Sequence, residues 1–194
     1  MTAFDAIYAR HATRSFTAEP IDEATIRDLL AAAVHAPTAM HLEPWAFVIV
    51  QDRALLQRIS DRAKELALRA PDEPHRELAR TPSAPRRAAQ FADPAFNIFY
   101  DAGTLIVICG KPVGAFVAAD CWLAAENVMI AATAMGLATC PIGFALAALA
   151  DPAIKTELGI PADTTVFAPI IVGVPTAAAQ PTTRREPLIW TWKK

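Results

Sequence analysis

From Ala115 to Met135 the chain runs for 21 residues in which Asp120, Glu126, Asn127 and Thr133 are the polar members. A segment of that length can span a bilayer, or it can form the central helix of a compact domain. The two acids decide between these. Each centrally placed carboxylate costs about 2.5–3.5 kcal/mol on an insertion scale, more than several apolar neighbours return. The segment is therefore expected to be a buried helix of a soluble protein. Its alanines, among them Ala118, Ala119, Ala125, Ala131, Ala132 and Ala134, form a smooth surface that a second helix can approach closely. A helix that is apolar almost all round lies in the middle of something, and for a chain of 194 residues the centre of a dimer is such a middle.

The rest of the chain alternates helical and strand-like patterns. Residues 3–11 and 22–35 read as helices, the second with Ile26, Leu29, Leu30, Ala33 and Val34 at helical spacing before Pro37. Residues 45–51 form a short apolar run of strand type, and 53–69 return to helical period. Residues 104–110 and 166–174 read as buried strands, and Pro169 predicts an edge or a bulge for the latter. From about 69 to 94, Pro71, Pro74, Pro82, Pro85 and Pro94 stand among many charges, which argues against a continuous helix or strand and suggests a mobile excursion. An apolar fraction of 54% supports one well-buried core, hence a single domain over 1–194, with apolar surface left over for a second copy of the chain.

The first five residues lack the basic start and apolar run of a signal peptide. Cys109, Cys121 and Cys140 are odd in number, scattered, and without metal-ligand spacing, so they read as small core residues of a cytoplasmic protein with no metal site. A net charge of −2 argues against nucleic acid as a partner. Against that mild acidity stand two basic clusters, Arg10-His11-Ala12-Thr13-Arg14 and Arg184-Arg185, near opposite ends of the chain. Cations so placed in a compact domain suggest convergence on one anion. The planar guanidinium fork suits a phosphate in particular.

Four segments in order, Arg10 to Phe16, Ala36 to Trp45, Glu126-Asn127 with Gly136 to Phe144, and Arg185 to Leu188, together resemble the signature of the nitroreductase family of flavoproteins. The resemblance runs from about residue 4 to 192. It implies an α+β fold, a three-layer α-β-α sandwich with a mixed central sheet, and a helix-mediated homodimer binding one FMN per subunit at its interface. By the same resemblance Arg10, Arg14 and Arg185, with Arg184 beside them, would hold the FMN phosphate. His11 would lie beside the phosphate or the ribityl chain, Ala12 next to it, and the loop Pro37, Thr38, Ala39 and Met40 would reach over from the partner to line the flavin, with His41 following. Pro141 would line the flavin, and backbone N–H groups near Ile142 and Gly143 would face its N5 region. No side chain need act as nucleophile or general acid, since the flavin carries the redox chemistry. NADH or NADPH would be the electron donor and a small electron-poor molecule, a nitroaromatic or a quinone, the acceptor, in ping-pong order.

Two departures from the family pattern stand in the loop, where His41 and Glu43 replace the usual amides, and a third at Ala12, which lacks a hydroxyl often found there. They keep two alternatives open: a branch with different flavin chemistry, such as dehalogenation or flavin fragmentation, and a flavin-binding dimer without turnover. Trp45 is expected in the core, and Trp190 and Trp192 are expected to pack the tail onto the body or a partner. The excursion is expected near the open flavin face, with Phe91, Phe96 and Phe99 as an apolar wall for a planar ring.

Overall fold

In a computed structural model, residues 1–69, 84–177 and 182–194 are described. Four strands, β1 (Trp45–Val50), β2 (Thr104–Gly110), β3 (Ala138–Pro141) and β4 (Thr165–Gly173), form one sheet in the order β1-β2-β4-β3. All neighbours pair antiparallel, with Trp45 opposite Gly110 and Val50 opposite Leu105. Parallel pairing is confined, among the described residues, to the bridge between Ala12 and Thr139. The sheet proper is thus antiparallel where a mixed one was expected, and the parallel element is a single contact of the N-terminal segment along β3.

The apolar residues of β2 alternate between two cores. Leu105, Val107 and Cys109 face Leu56 and Ile59 of α3 (Arg53–Arg69), Phe99, and Leu149 of the short α6 (Leu146–Leu149). Ile106 and Ile108 face the opposite side, against Ile26 and Leu29 of α2 (Glu23–Ala33) and Ala124, Val128 and Ala132 of α5 (Val117–Ala134). The period of two in the strand and the stripe at i, i+4 and i+8 in α5 thus assemble three layers around a fully buried β2. Trp45 belongs to the second core, as expected.

Helix α1 (Ala3–Ala9) opens on a capping box between Thr2 and Asp5 and ends at Arg10, whose extended backbone turns the chain toward β3. Pro169 lies in β4, an interior strand, and not at an edge. Its carbonyl accepts the Ile142 N–H at 2.8 Å, so its nitrogen also faces the side where β3 has ended, and the ladder to β2 loses no donor. The expected bulge is present nearby, as a register shift opposite Ile108 and Cys109. Within the proline-rich segment α4 (Ala84–Ala92) is a regular helix, because Pro85 sits in its first turn, where a missing N–H is harmless.

By length and composition α5 could cross a membrane. Here it packs on α2, with Asn127 Nδ2 donating to Ala32 O at 3.0 Å, and its buried Asp120 carboxylate accepts Ala39 N–H at 3.1 Å. It is buried on one face; Trp122 and Leu123 are exposed on the other.

Asp151 joins two elements of the first layer. It caps α7 (Pro152–Glu157) through Ala153 N–H at 2.9 Å, and its Oδ2 takes Arg62 Nε and Nη2 at 3.0 and 2.8 Å. The backbone bond first, and then Arg62, hold its pKa below the ordinary 3.8. A depressed folded pKa gives stability that is present above 3.8 and is lost as pH falls through the folded value. Urea midpoints should therefore fall more steeply with acid in the parent than in Asp151→Asn. Parallel profiles would remove Asp151 as a contributor.

Candidate functional site

Leaving α1, the chain runs beside the end of β3. Thr13 N–H donates to Thr139 O at 3.0 Å, and Thr17 N–H donates to Val174 O at 2.9 Å. This carries Arg14 to the rim of a cavity of about 560 Å³. The floor is the end of β3 and the turn after it, Cys140 to Phe144; one wall comes from Phe96, Ile98 and Tyr100, the other from Arg86, Arg87, Gln90 and Phe91 of α4. Phe91 makes an edge contact with Phe144 at 4.9 Å between ring centroids and stacks with Phe96 at 6.2 Å, and Phe96 meets Tyr100 edge-on at 5.7 Å. The cavity is thus walled by four linked aromatic rings.

Helix α3 fixes that wall. Lys64, almost fully buried, donates to Phe96 O at 2.8 Å and pairs with Asp61 at 3.0 Å, while Ser60 Oγ accepts Ile98 N–H at 3.0 Å. Tyr100 and Asp101 hold φ of 52° and 60°, a left-handed turn unusual for side-chain-bearing residues and of the kind that collects at functional sites. Burial pushes the Tyr100 hydroxyl above its ordinary pKa; the charge of the Arg14 guanidinium nearby pulls the other way. Burial also raises all three thiols, Cys109 to about 11 and Cys121 to about 12, so they are unreactive core groups, Cys140 on the cavity floor included.

At the turn after β3 the two backbone donors differ. Ile142 N–H is committed to Pro169 O. Gly143 opens a 3-10 turn, so its N–H has no partner within that turn, and among the described residues no other acceptor meets it. A Cβ built on Gly143 would meet nothing within 4 Å. The Gly143 N–H is thus a backbone donor that the turn leaves available beside the cavity.

The two basic clusters meet in part, away from Arg14. Arg10, His11 and Arg184 line a second cavity, of about 530 Å³, with Tyr8, Thr182 and Glu126. Arg10 is drawn there by the Glu126 carboxylate, 3.4 Å from its Nε. His11 Nδ1 donates to Ala9 O at 2.9 Å, which in the neutral ring leaves Nε2 to accept from Thr13 Oγ1 at 3.1 Å. Arg185 lines neither cavity, and Ala12 is occupied by its bridge to Thr139. The 37–41 loop lines neither as well. It stands over α5, anchored through Ala39, with Met40, His41 and Glu43 at φ of 54°, 54° and 43° and Met40 fully exposed to solvent. Trp190 and Trp192 are exposed in a tail without helix or strand, so these two rings do not pack on the body of their own chain.

Phe91 and Phe96 form the apolar wall read from the sequence, but Phe99 does not: it is 1% exposed and lies in the core. Sequence reasoning missed Arg86, Gln90, Tyr100 and Phe144. The spacing of Arg86 and Gln90, four apart on one helical face, was an available signal, obscured by the surrounding prolines.

The sequence profile of the nitroreductase family matches residues 7–174. The chain belongs to the nitroreductase family. It is 32% identical to protein DrgA of Synechocystis sp., over 89% of this chain and 84% of that one. It is 26% identical to the chloronitrobenzene nitroreductase of Comamonas testosteroni, over 87% and 85%. In three dimensions it is similar to a nitroreductase with bound FMN from Bacteroides fragilis, with a TM-score of 0.82, 25% identity and full coverage of both chains. The three-layer arrangement described above is the nitroreductase fold.

Proposed function

We propose that this nitroreductase-family chain is an FMN-dependent oxidoreductase, with its flavin ring over the turn after β3. When bound, FMN supplies the redox chemistry, taking electrons from NADH or NADPH and passing them to an electron-poor acceptor such as a nitroaromatic or a quinone. The observation that carries this reading is the Gly143 N–H, an unpaired backbone donor at the floor of an aromatic cavity with a guanidinium at its rim. Such a donor stabilises an electron-rich acceptor atom of a ring placed over it, and glycine lets the ring approach. Ile142 takes the supporting role of fixing the turn through Pro169.

Arg14 is the phosphate ligand in this reading, and the second cationic group, Arg10, His11 and Arg184 with Arg185 adjacent, lies beyond the Ala12–Thr139 bridge. The apolar outer face of α5 and the exposed 37–41 loop are both accounted for by a homodimer, in which Pro37 to His41 of one copy would reach the flavin of the other. The protein is expected to purify yellow with releasable FMN, to scatter light as a dimer when dilute, and to oxidise NADH or NADPH faster once a quinone is added. Colourless protein that takes up no FMN would overturn the flavin assignment. Flavin-loaded protein that turns over neither nucleotide with any acceptor would leave a binding protein in its place.

A further inference from the structure

We propose that the cavity between α4 and the end of β3 selects acceptors that are planar aromatic anions, such as a nitroarene bearing a carboxylate, with Arg86 as the anchor for the charge. This rests on the flavin reading above and names the substrate class of that same site. The chain as a whole has slightly more acid than base, 20 against 18 residues, yet the described lining of this cavity holds Arg14, Arg86 and Arg87 and no carboxylate. Such a one-signed lining attracts anions.

The position of Arg86 strengthens the point. It stands in the first turn of α4, which has no acid there, and cations at that end of a helix oppose the helix dipole. Among the described residues Arg86 has no carboxylate partner. An anion in the cavity would be met by the guanidinium and would offset the unfavourable position of that cation in the first turn. Gln90, four residues on and also lining the cavity, adds an amide on the same helical face. Phe91 and Phe96 supply flat apolar surface for the ring itself. Arg14 is assigned to the flavin, and of the two cations that remain, Arg86 and Arg87, Arg86 is the one taken as the anchor because it stands on the same face as Gln90 and has no carboxylate partner among the described residues.

The test compares 4-nitrobenzoate with the uncharged 4-nitrobenzamide as acceptors, in the parent, Arg86→Ala and Arg86→Lys, after the ratio of FMN to protein has been measured for each. The parent should prefer the carboxylate. In Arg86→Ala the ratio of kcat/KM for carboxylate over amide should fall roughly ten- to a hundredfold, mainly through KM for 4-nitrobenzoate, as for loss of one charge-assisted bond, with partial return in Arg86→Lys. An unaltered ratio overturns the proposal. So does loss of FMN from Arg86→Ala, which would make Arg86 a flavin ligand, or an effect confined to KM for NADH or NADPH, which would make it a donor site. If the parent itself holds no FMN, the flavin reading has failed instead. Calorimetric titration with 4-nitrobenzoate then decides the anion preference separately, since the weakened binding expected of Arg86→Ala does not depend on turnover.

Discussion

Replacing Arg14 with Ala is expected to weaken FMN binding by about 1.5–3 kcal/mol, roughly ten- to a hundredfold in Kd, the range for a charge-assisted hydrogen bond. Arg14 is the one member of the predicted cluster that reaches the cavity floored by Gly143, where it lies near Tyr100 before any ligand arrives. Preorganisation of that kind avoids the cost of ordering a long side chain on binding. Titration of apoprotein with FMN, followed by quenching of flavin fluorescence, reads the effect directly. Arg14→Lys should recover only part of the loss, because a point charge cannot make the two-pronged contact. An Arg14→Ala protein that binds FMN as tightly as the parent would move the phosphate to the other cationic group, at Arg10, His11 and Arg184.

Phe99→Ala is expected to cost about 3–5 kcal/mol of stability, as for other fully buried phenylalanines. Phe99 is 1% exposed and packs in the core between α3 and the sheet, where neighbouring backbone is held by the Ser60 bond to Ile98 and cannot readily collapse into the void. Phe96, three residues earlier, is the contrast. It faces the cavity, so Phe96→Ala should lose less stability and instead raise KM for aromatic acceptors. Urea unfolding of the two variants as FMN-free protein separates these roles, because no ligand contribution then enters either comparison. A Phe99→Ala protein destabilised by less than about 1 kcal/mol would show that this core repacks freely around the missing ring.

The periodic elements were legible in the sequence because periodicity is a local property. The alternation of β2, the helical stripe of Ile26, Leu29 and Ala33, and the decision that the Ala115–Met135 segment is a protein-packed helix each follow from residues close together in the chain. Four ordered motifs sufficed for the family, and two of the three phenylalanines picked as a wall do line the cavity. The nearness of the turn after β3 to Arg14 was also legible, through the family pattern.

What the sequence left open depends on which distant groups meet. Nothing near Arg10 in the chain indicates that Glu126, 116 positions away, takes its guanidinium and divides the basic cluster between two cavities. Pro169 carries a local rule that forbids a central strand, and only the place where β3 stops shows that its nitrogen faces no ladder. Phe96 and Phe99 are equivalent as letters. The turn at Tyr100 and Asp101, and the bonds from Lys64 and Ser60, set one ring against the cavity and leave the other in the core. Composition and period determine which surfaces must be buried; the three-dimensional pairing of charges and the ends of strands decide which of the remaining groups share a site.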